Sequence, residues 1–413
     1  MFRWTIPERR VGDRNLPTIP TEIYLEIFEH LAPSGEKLSV EQTKTLTRVS
    51  GSCKLFCHIA LPRIFEHVDF VGLVYYRHDN LPFSRNISWC SRMAAGEDLA
   101  LWGAECTREC NFRDWQLESE GSWAVNMFAK RFTSSLSHMT NLRRLTFTRC
   151  FITNNHWRAV MALRALGELA FDKCQFTETA QLEDGIHTNH PMNLRVPSIE
   201  FYEGGAHAYV AARVFNLGHL RSLKTDLPFA VLLDWPQDYI LEQLHLSQIK
   251  YSSPAHEFVL RATLRKIRQS VAELKLSFYD HMRLPDFEHY LQSNLSEIIQ
   301  KLRSLTLVVD PNIRDYLQSH VKSPPLCFRV GFSENMEKLI VQSHAPCYPG
   351  GIRFVPPWQP SSDHLQQSTL PLILADFPNI NYVEIYGTAI RLKGDSWVEA
   401  PVPYVAVDST GIS

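Results

Sequence analysis

A ten-residue segment of the chain recurs 24 positions further on. Asn141-Leu142-Arg143-Arg144-Leu145-Thr146-Phe147-Thr148-Arg149-Cys150 is echoed by Ala165-Leu166-Gly167-Glu168-Leu169-Ala170-Phe171-Asp172-Lys173-Cys174, with Leu, Leu, Phe and Cys at matching places. A unit this short cannot bury its own apolar face, so a chain built from it must stack neighbours into a continuous core. Weaker copies follow at Val196/Ile199/Phe201, Leu220/Leu223/Thr225, Leu241/Leu244/Leu246, Val271/Leu274/Leu276, Leu302/Leu305/Leu307, Met336/Leu339/Val341 and Ile380/Val383/Ile385. From Leu145 onward their central residues step by 24, 30, 24, 21, 30, 31, 34 and 44 positions. Amphipathic, helix-like stretches at 155–166, 206–217, 257–271 and 286–302 lie between them. Short strands alternating with helices at this period are expected to form a parallel α/β array.

The spacing L-x-x-L-x-L-x-x-N/C resembles the leucine-rich repeat. That resemblance implies an irregular right-handed β/α solenoid over residues 136–393. Gly350-Gly351 and Pro356-Pro357-Trp358-Gln359-Pro360 mark an insertion near 345–365. Cys150 and Cys174 take the rung where a small side chain packs inside the turn. Residues between the buried positions of a strand face the other way. The outward candidates for gripping a target protein are therefore Arg144, Thr146, Thr148, Glu168, Asp172, Glu200, Tyr202, Lys224, His245, Lys275, Thr306, Lys338, Tyr382, Glu384 and Tyr386. Arg143, Arg144 and Arg149 crowd the first clear copy and suit an acidic or phosphorylated peptide, while later rungs mix charge.

Residues 1–15 are polar and read as a flexible lead-in, and 394–413 as a C-terminal tail. Between 16 and 66 three short helices are expected. Pro20 suits a first helical turn and Glu22 favours its positive end. Ile23, Ile27 and Leu31 then recur every four residues with Phe28 beside them. Pro33-Ser34-Gly35 ends this helix, Ser39-Val40-Glu41-Gln42 has capping-box spacing and opens a second through Leu46 and Val49, and a third carries Cys53, Phe56, Ile59 and Ala60 before Pro62. Ile19-Pro20-Thr21-Glu22-Ile23, Ile27-Phe28, Leu31, Leu46, Val49, Cys53-Lys54 and Phe56 resemble the F-box. The resemblance implies docking of Pro20, Glu22, Ile23, Ile27, Phe28, Leu31, Leu46, Val49, Cys53 and Phe56 on the Skp-family linker of a cullin–RING ubiquitin ligase. It departs from the motif in a longer loop at 32–38, in Ser52 before Cys53, and in Gly51. Trp89, Trp102, Trp115 and Trp123 fall in residues 67–135, read as an aromatic-rich connecting region or irregular first repeat.

Composition narrows the function. With 42 basic and 44 acidic residues the chain lacks the surplus cations of a phosphate-backbone binder, so no nucleic-acid partner is expected. No apolar run reaches the roughly 18 residues that span a bilayer, so no membrane partner is expected either. The charged start lacks the apolar core of a secretion signal, and nine cysteines in a reducing compartment read as free thiols of a cytoplasmic or nuclear protein. Cys106…Cys110 and Cys53…Cys57-His58 have helical spacing but no second ligand pair, so no metal or other cofactor is expected. G-x-S-x-G, G-x-x-x-x-G-K-[ST], G-x-G-x-x-G and H-E-x-x-H are absent, Leu260 standing where His256-Glu257 would need a second His.

The expected fold class is thus α/β: an N-terminal three-helix F-box, then an irregular right-handed β/α leucine-rich-repeat solenoid. The expected function is that of a non-catalytic substrate receptor, holding an unknown target near a charged conjugating enzyme through the Skp-family linker. The alternatives are a leucine-rich-repeat interaction scaffold with no ligase role, and a cryptic hydrolase, which needs a polar pocket where His and carboxylates converge.

Overall fold

Helices and strands alternate along the chain in an α/β arrangement. The computed structural model describes residues 19–33, 35, 37–72, 81–115, 130–176, 198–202, 220–233, 241–250, 253–267, 271–278, 290–291, 293–295, 298–309, 332–343 and 360–402. It divides into two compact units, Met1–Val196 with Gly205–Ala211, and Pro197–Gly204 with Ala212–Ser413.

The first unit opens with α1 (Thr21–Leu31), α2 (Val40–Ser50) and α3 (Lys54–Glu66). Local chemistry sets their ends. Pro20 occupies the N-cap of α1, with Glu22 in the first turn. At the start of α2 the Gln42 N–H donates to Ser39 Oγ at 3.2 Å and the Ser39 N–H donates to Gln42 Oε1 at 2.8 Å, a reciprocal capping box. The Gln42 side-chain amide also donates to the Leu31 carbonyl at 3.0 Å, tying the end of α1 to the start of α2. Contrary to the expected stop, α3 continues through Pro62 to Glu66. A proline there removes only one i→i−4 bond, and tertiary packing of Ile59, Ala60 and Ile64 offsets that loss. Phe28, Ala32, Leu46 and Ala60 form the shared core, with Leu38, Val49, Phe56, Ile59 and Ile64 packed around it.

Residues 67–135, expected to be an aromatic-rich connecting region or irregular first repeat, supply two further strands. β1 (His67–Val71) is followed by α4 (Leu81–Ala94), α5 (Asp98–Cys106), β2 (Glu109–Arg113), β3 (Arg144–Thr148), β4 (Phe151–Ile152), β5 (Glu168–Asp172) and β6 (Gln175–Phe176). β1, β2, β3 and β5 pair parallel without a register shift, and β4 pairs with β6. The register aligns Phe70, Phe112, Phe147 and Phe171 into an aromatic spine, with successive ring centroids 5.1, 5.2 and 5.5 Å apart. At each corner one residue reaches back to the previous strand. Trp115 Nε1 donates to the Phe70 carbonyl at 2.9 Å; the thiols of Cys150 and Cys174 donate to those of Phe112 and Phe147 at 3.3 Å. The preceding residues Asp114, Arg149 and Lys173 have φ of 62°, 51° and 53°, the sharp backbone turn that aims each donor inward. Trp89 packs on Phe65 and Phe70, and Trp102 stacks on His58; Trp123 lies outside the described residues.

In the second unit β7 (Ser198–Tyr202), β8 (Ser222–Asp226), β9 (Gln243–Ile249), β10 (Glu273–Phe278), β11 (Ser304–Val309), β12 (Lys338–Ser343) and β13 (Tyr382–Ile385) pair parallel in chain order. Helices at Leu227–Leu232, Pro254–Ile267 and Leu370–Asp376 lie between strands. The stretch at 206–217 and the insertion at 345–359 lie outside the described residues. Before β8, β9, β10 and β11 one carbonyl accepts two N–H groups of the next copy: Arg221 from Glu242 and Gln243, Glu242 from Ala272 and Glu273, Ala272 from Arg303 and Ser304, Arg303 from Glu337 and Lys338. The expected tail at 394–413 instead begins inside a hairpin. β14 (Thr388–Lys393) pairs antiparallel with β13, and β15 (Ser396–Ala400) with β14. Tyr386 and Gly387, at φ of 48° and 86°, form the two-residue turn whose left-handed backbone matches strand twist.

Candidate functional site

Two surfaces gather the residues singled out in the sequence. The first is on α1. Ile23, Ile27 and Leu31 form an i, i+4, i+8 row that is 45%, 48% and 38% exposed, and Ile19 extends it by one step at 45%. Val40, at the first turn of α2, is also exposed. Ile19 and Val40 were not among the expected contacts; the four-residue spacing from Ile19 to Ile23 was the signal for the first. Pro20 and Glu22 lie exposed at the start of α1, and Cys53 is exposed at the N-cap of α3, where its Sγ accepts the Phe56 N–H at 3.4 Å. Two expected contacts are corrected. Phe28 and Leu46 are buried in the three-helix core, and Val49 and Phe56 are half-buried against it. Phe28 sits one residue, about 100° around the helix, from Ile27, which turns it inward against Phe56 at 5.6 Å.

The second surface is the outward side of the strands. In the first unit its charges neutralise one another. Asp69 on β1 accepts from Lys37 at 3.1 Å, Arg113 at 2.9 Å and Asn111 at 2.8 Å. Burial raises the Asp69 carboxyl, but the Asn111 hydrogen bond and the two cations outweigh it and hold the group below the usual carboxylate range. His67 Nδ1 meets Glu109 at 3.0 Å, a hydrogen bond that raises the imidazole and lowers the carboxyl. Arg144 pairs with Glu168 at 3.4 Å, and Arg149 with Asp114 at 2.6 Å. Thr146, Thr148 and Asp172 are half-buried on the same side. Arg143 instead borders a cavity of about 610 Å³ at the strand-entry edge, with Pro62, Arg63, Glu66, Cys106 and Arg108. Burial pushes the Cys106 thiol up to about 11, so it is no ready nucleophile.

In the second unit Lys224, His245, Lys275 and Thr306 share one register on β8 to β11 and are half-buried. The side chains of Glu200 and Tyr202 on β7 lie outside the described residues. Lys338 is half-buried with its ammonium 5.2 Å from the Tyr382 ring. Three expected outward residues are corrected: Tyr382, Glu384 and Tyr386 are buried. Ile340, Tyr382 and Ala389 form a small core with Ala400 and Val402, because the β14–β15 hairpin covers this end of the sheet. Glu384 accepts from the Tyr382 hydroxyl at 2.9 Å and from the Gln342 amide at 3.0 Å.

Among the described residues no three His, Cys, Asp or Glu side chains converge as metal ligands, and no helix is long and apolar enough to cross a membrane. Comparison with protein-family models and with curated proteins finds no match for this chain.

Proposed function

We propose that this chain is an F-box protein with degenerate leucine-rich repeats, acting in the cytoplasm or nucleus as substrate receptor of an SCF-type cullin–RING ubiquitin ligase. The observation that carries the reading is the exposed aliphatic row Ile23, Ile27 and Leu31 on a helix whose adjoining face, about 100° round from Ile27, is anchored by Phe28. Aliphatic side chains aligned along one helix face and left in water mark a docking surface, and an amphipathic helix laid in a groove reads such i, i+4 anchors. In this reading α1 grips the Skp-family linker while the outward strand face holds the target. Ubiquitin transfer then follows from proximity, since the target lysine meets the charged conjugating enzyme at high effective concentration. The chain itself supplies neither nucleophile nor general base.

Co-expression with a Skp-family linker tests this. A 1:1 complex with the unchanged chain, lost in Ile27→Lys while the melting temperature holds, supports the reading. A chain that forms no complex is instead a binding scaffold.

A further inference from the structure

Two cysteines share the first turn of α3. Cys53 is exposed and caps the helix, its Sγ accepting the Phe56 N–H at 3.4 Å. Cys57 is half-buried one turn further on, and its N–H donates to the Cys53 carbonyl at 2.9 Å. Helical rise and pitch put two Cα atoms related in this way about 6 Å apart. That lies inside the roughly 4.4–6.8 Å that a disulfide spans. The cap has extended backbone, with φ of −158° and ψ of 162°, and from there its side chain folds over the turn. Its sulfur already meets the backbone N–H of the residue next to Cys57.

Among the described residues Cys53 is the exposed cysteine, whereas Cys90, Cys110, Cys150 and Cys174 are buried out of reach of a solvent-borne oxidant. Burial raises the Cys57 thiol, and the negative charge of Cys53 raises it further, so the two sulfurs feel one another. The second contribution vanishes once Cys53 is oxidised to a neutral group. Oxidation of the exposed member therefore readies the half-buried one to attack it.

We propose that Cys53 and Cys57 form a reversible disulfide when a hydroperoxide oxidises Cys53. The Cys53 thiolate attacks a peroxide oxygen and the O–O bond breaks. Cys53 becomes a sulfenic acid, and the other oxygen leaves as an alcohol, or as water from hydrogen peroxide, with the proton that the thiol gave up. The Cys57 thiolate then attacks the Cys53 sulfur. The S–S bond forms, and the leaving hydroxide takes up the Cys57 proton as water. Two thiols and one hydroperoxide thus give one disulfide, one alcohol and one water, and a dithiol reductant reverses the change by exchange. The inference does not depend on the receptor reading.

The test is brief treatment of the native full chain with hydrogen peroxide, then blocking of remaining thiols and trypsin digestion of the monomer band from a non-reducing gel. Trypsin cuts after Arg48, Lys54 and Arg63, so the two cysteines fall on separate peptides, 49–54 and 55–63. The expected product is these two peptides joined, two hydrogens lighter than their sum and separated again by dithiothreitol. Dimedone, which traps sulfenic acid, should label Cys53 at least about tenfold more in Cys57→Ser, where the resolving thiol is gone. Cys57→Ala repeats the measurement should the Ser variant melt early. Absence of the joined pair, its appearance only after denaturation, or equal dimedone labelling of Cys53 in the unchanged chain and both variants overturns the proposal.

Discussion

Ile27 and Phe28 are neighbours on α1, yet Ile27 is 48% exposed and Phe28 only 2%. The pair separates a solvent-facing position from a packing position, which a contiguous apolar motif by itself does not.

Ile27→Lys is therefore expected to change unfolding free energy by no more than about 0.5 kcal/mol, as for an exposed position. Phe28→Ala, which empties the centre of the three-helix core, is expected to cost about 3–5 kcal/mol. Urea denaturation of both variants checks the contrast. Equal destabilisation means that Ile27 is a packing residue and α1 a structural cap.

His156 is buried at 3% exposure, with its Nδ1 accepting the Thr153 N–H at 3.1 Å and its ring edge-on to Phe147. Burial lowers its pKa to about 4 from 6.5. The unfolded state then binds the extra proton between these values, so the contribution is complete above about pH 6.5 and is lost as pH falls towards 4. Its size is on the order of 3 kcal/mol. His67 has the opposite sign: its raised pKa gives stability that is full below 6.5 and fades as pH rises through the folded value. Urea midpoints of the unchanged chain and His156→Asn from pH 7 to pH 4.5 check this. The variant should lose less stability on acidification; parallel slopes refute the assignment.

Alkylation should sort the cysteines. Cys53 is exposed, whereas Cys90, Cys110, Cys150 and Cys174 are buried. Burial pushes the Cys90 thiol up to about 11 and lifts Cys110 and Cys150 well above the ordinary range. Since thiolate is the reactive form, peptide mass spectrometry after brief iodoacetamide treatment should find Cys53 modified before those four, which react only after denaturation. Early labelling of Cys150 or Cys174 contradicts their place in the corner hydrogen bonds.

Glu384→Ala removes the acceptor shared by the Tyr382 hydroxyl and the Gln342 amide, beneath the C-terminal hairpin. A buried donor left unpaired costs about 1–3 kcal/mol. A lowered melting temperature is expected, with faster amide exchange at 388–400. Unchanged exchange in β14 and β15 would show that the apolar contacts alone hold the hairpin.

Period and punctuation made much of this legible. The Leu145–Leu169 echo, with its weaker copies, placed a central residue in each of β3, β5, β7, β8, β9, β10, β11, β12 and β13. Ser39 and Gln42 announced their capping box because it depends on four consecutive residues. β1 and β2 escaped notice because only one place in them matches the echo: Phe70 and Phe112 sit fourth in their strands, like Phe147 and Phe171. Asn141, Asn335 and Asn379 also went unread. Each stands three residues before a strand and donates its amide to a carbonyl of the preceding copy: Glu105, Gln300 and Glu334.

Sequence alone carried the properties that nearest neighbours dictate: alternation, caps, and the apolar row on α1. It could not tell which apolar or outward residues stay wet, because burial depends on what packs from far along the chain. Phe28 went inside because Phe56 and Leu46 arrive from other helices. Tyr382, Glu384 and Tyr386 alternate like solvent-facing strand residues, and a hairpin formed after them in the chain shuts them in. Lys275 could be placed on a strand from its spacing, but its neighbours belong to the three-dimensional arrangement. Strand pairing brings Lys224 and His245 beside it and engages Glu384 elsewhere.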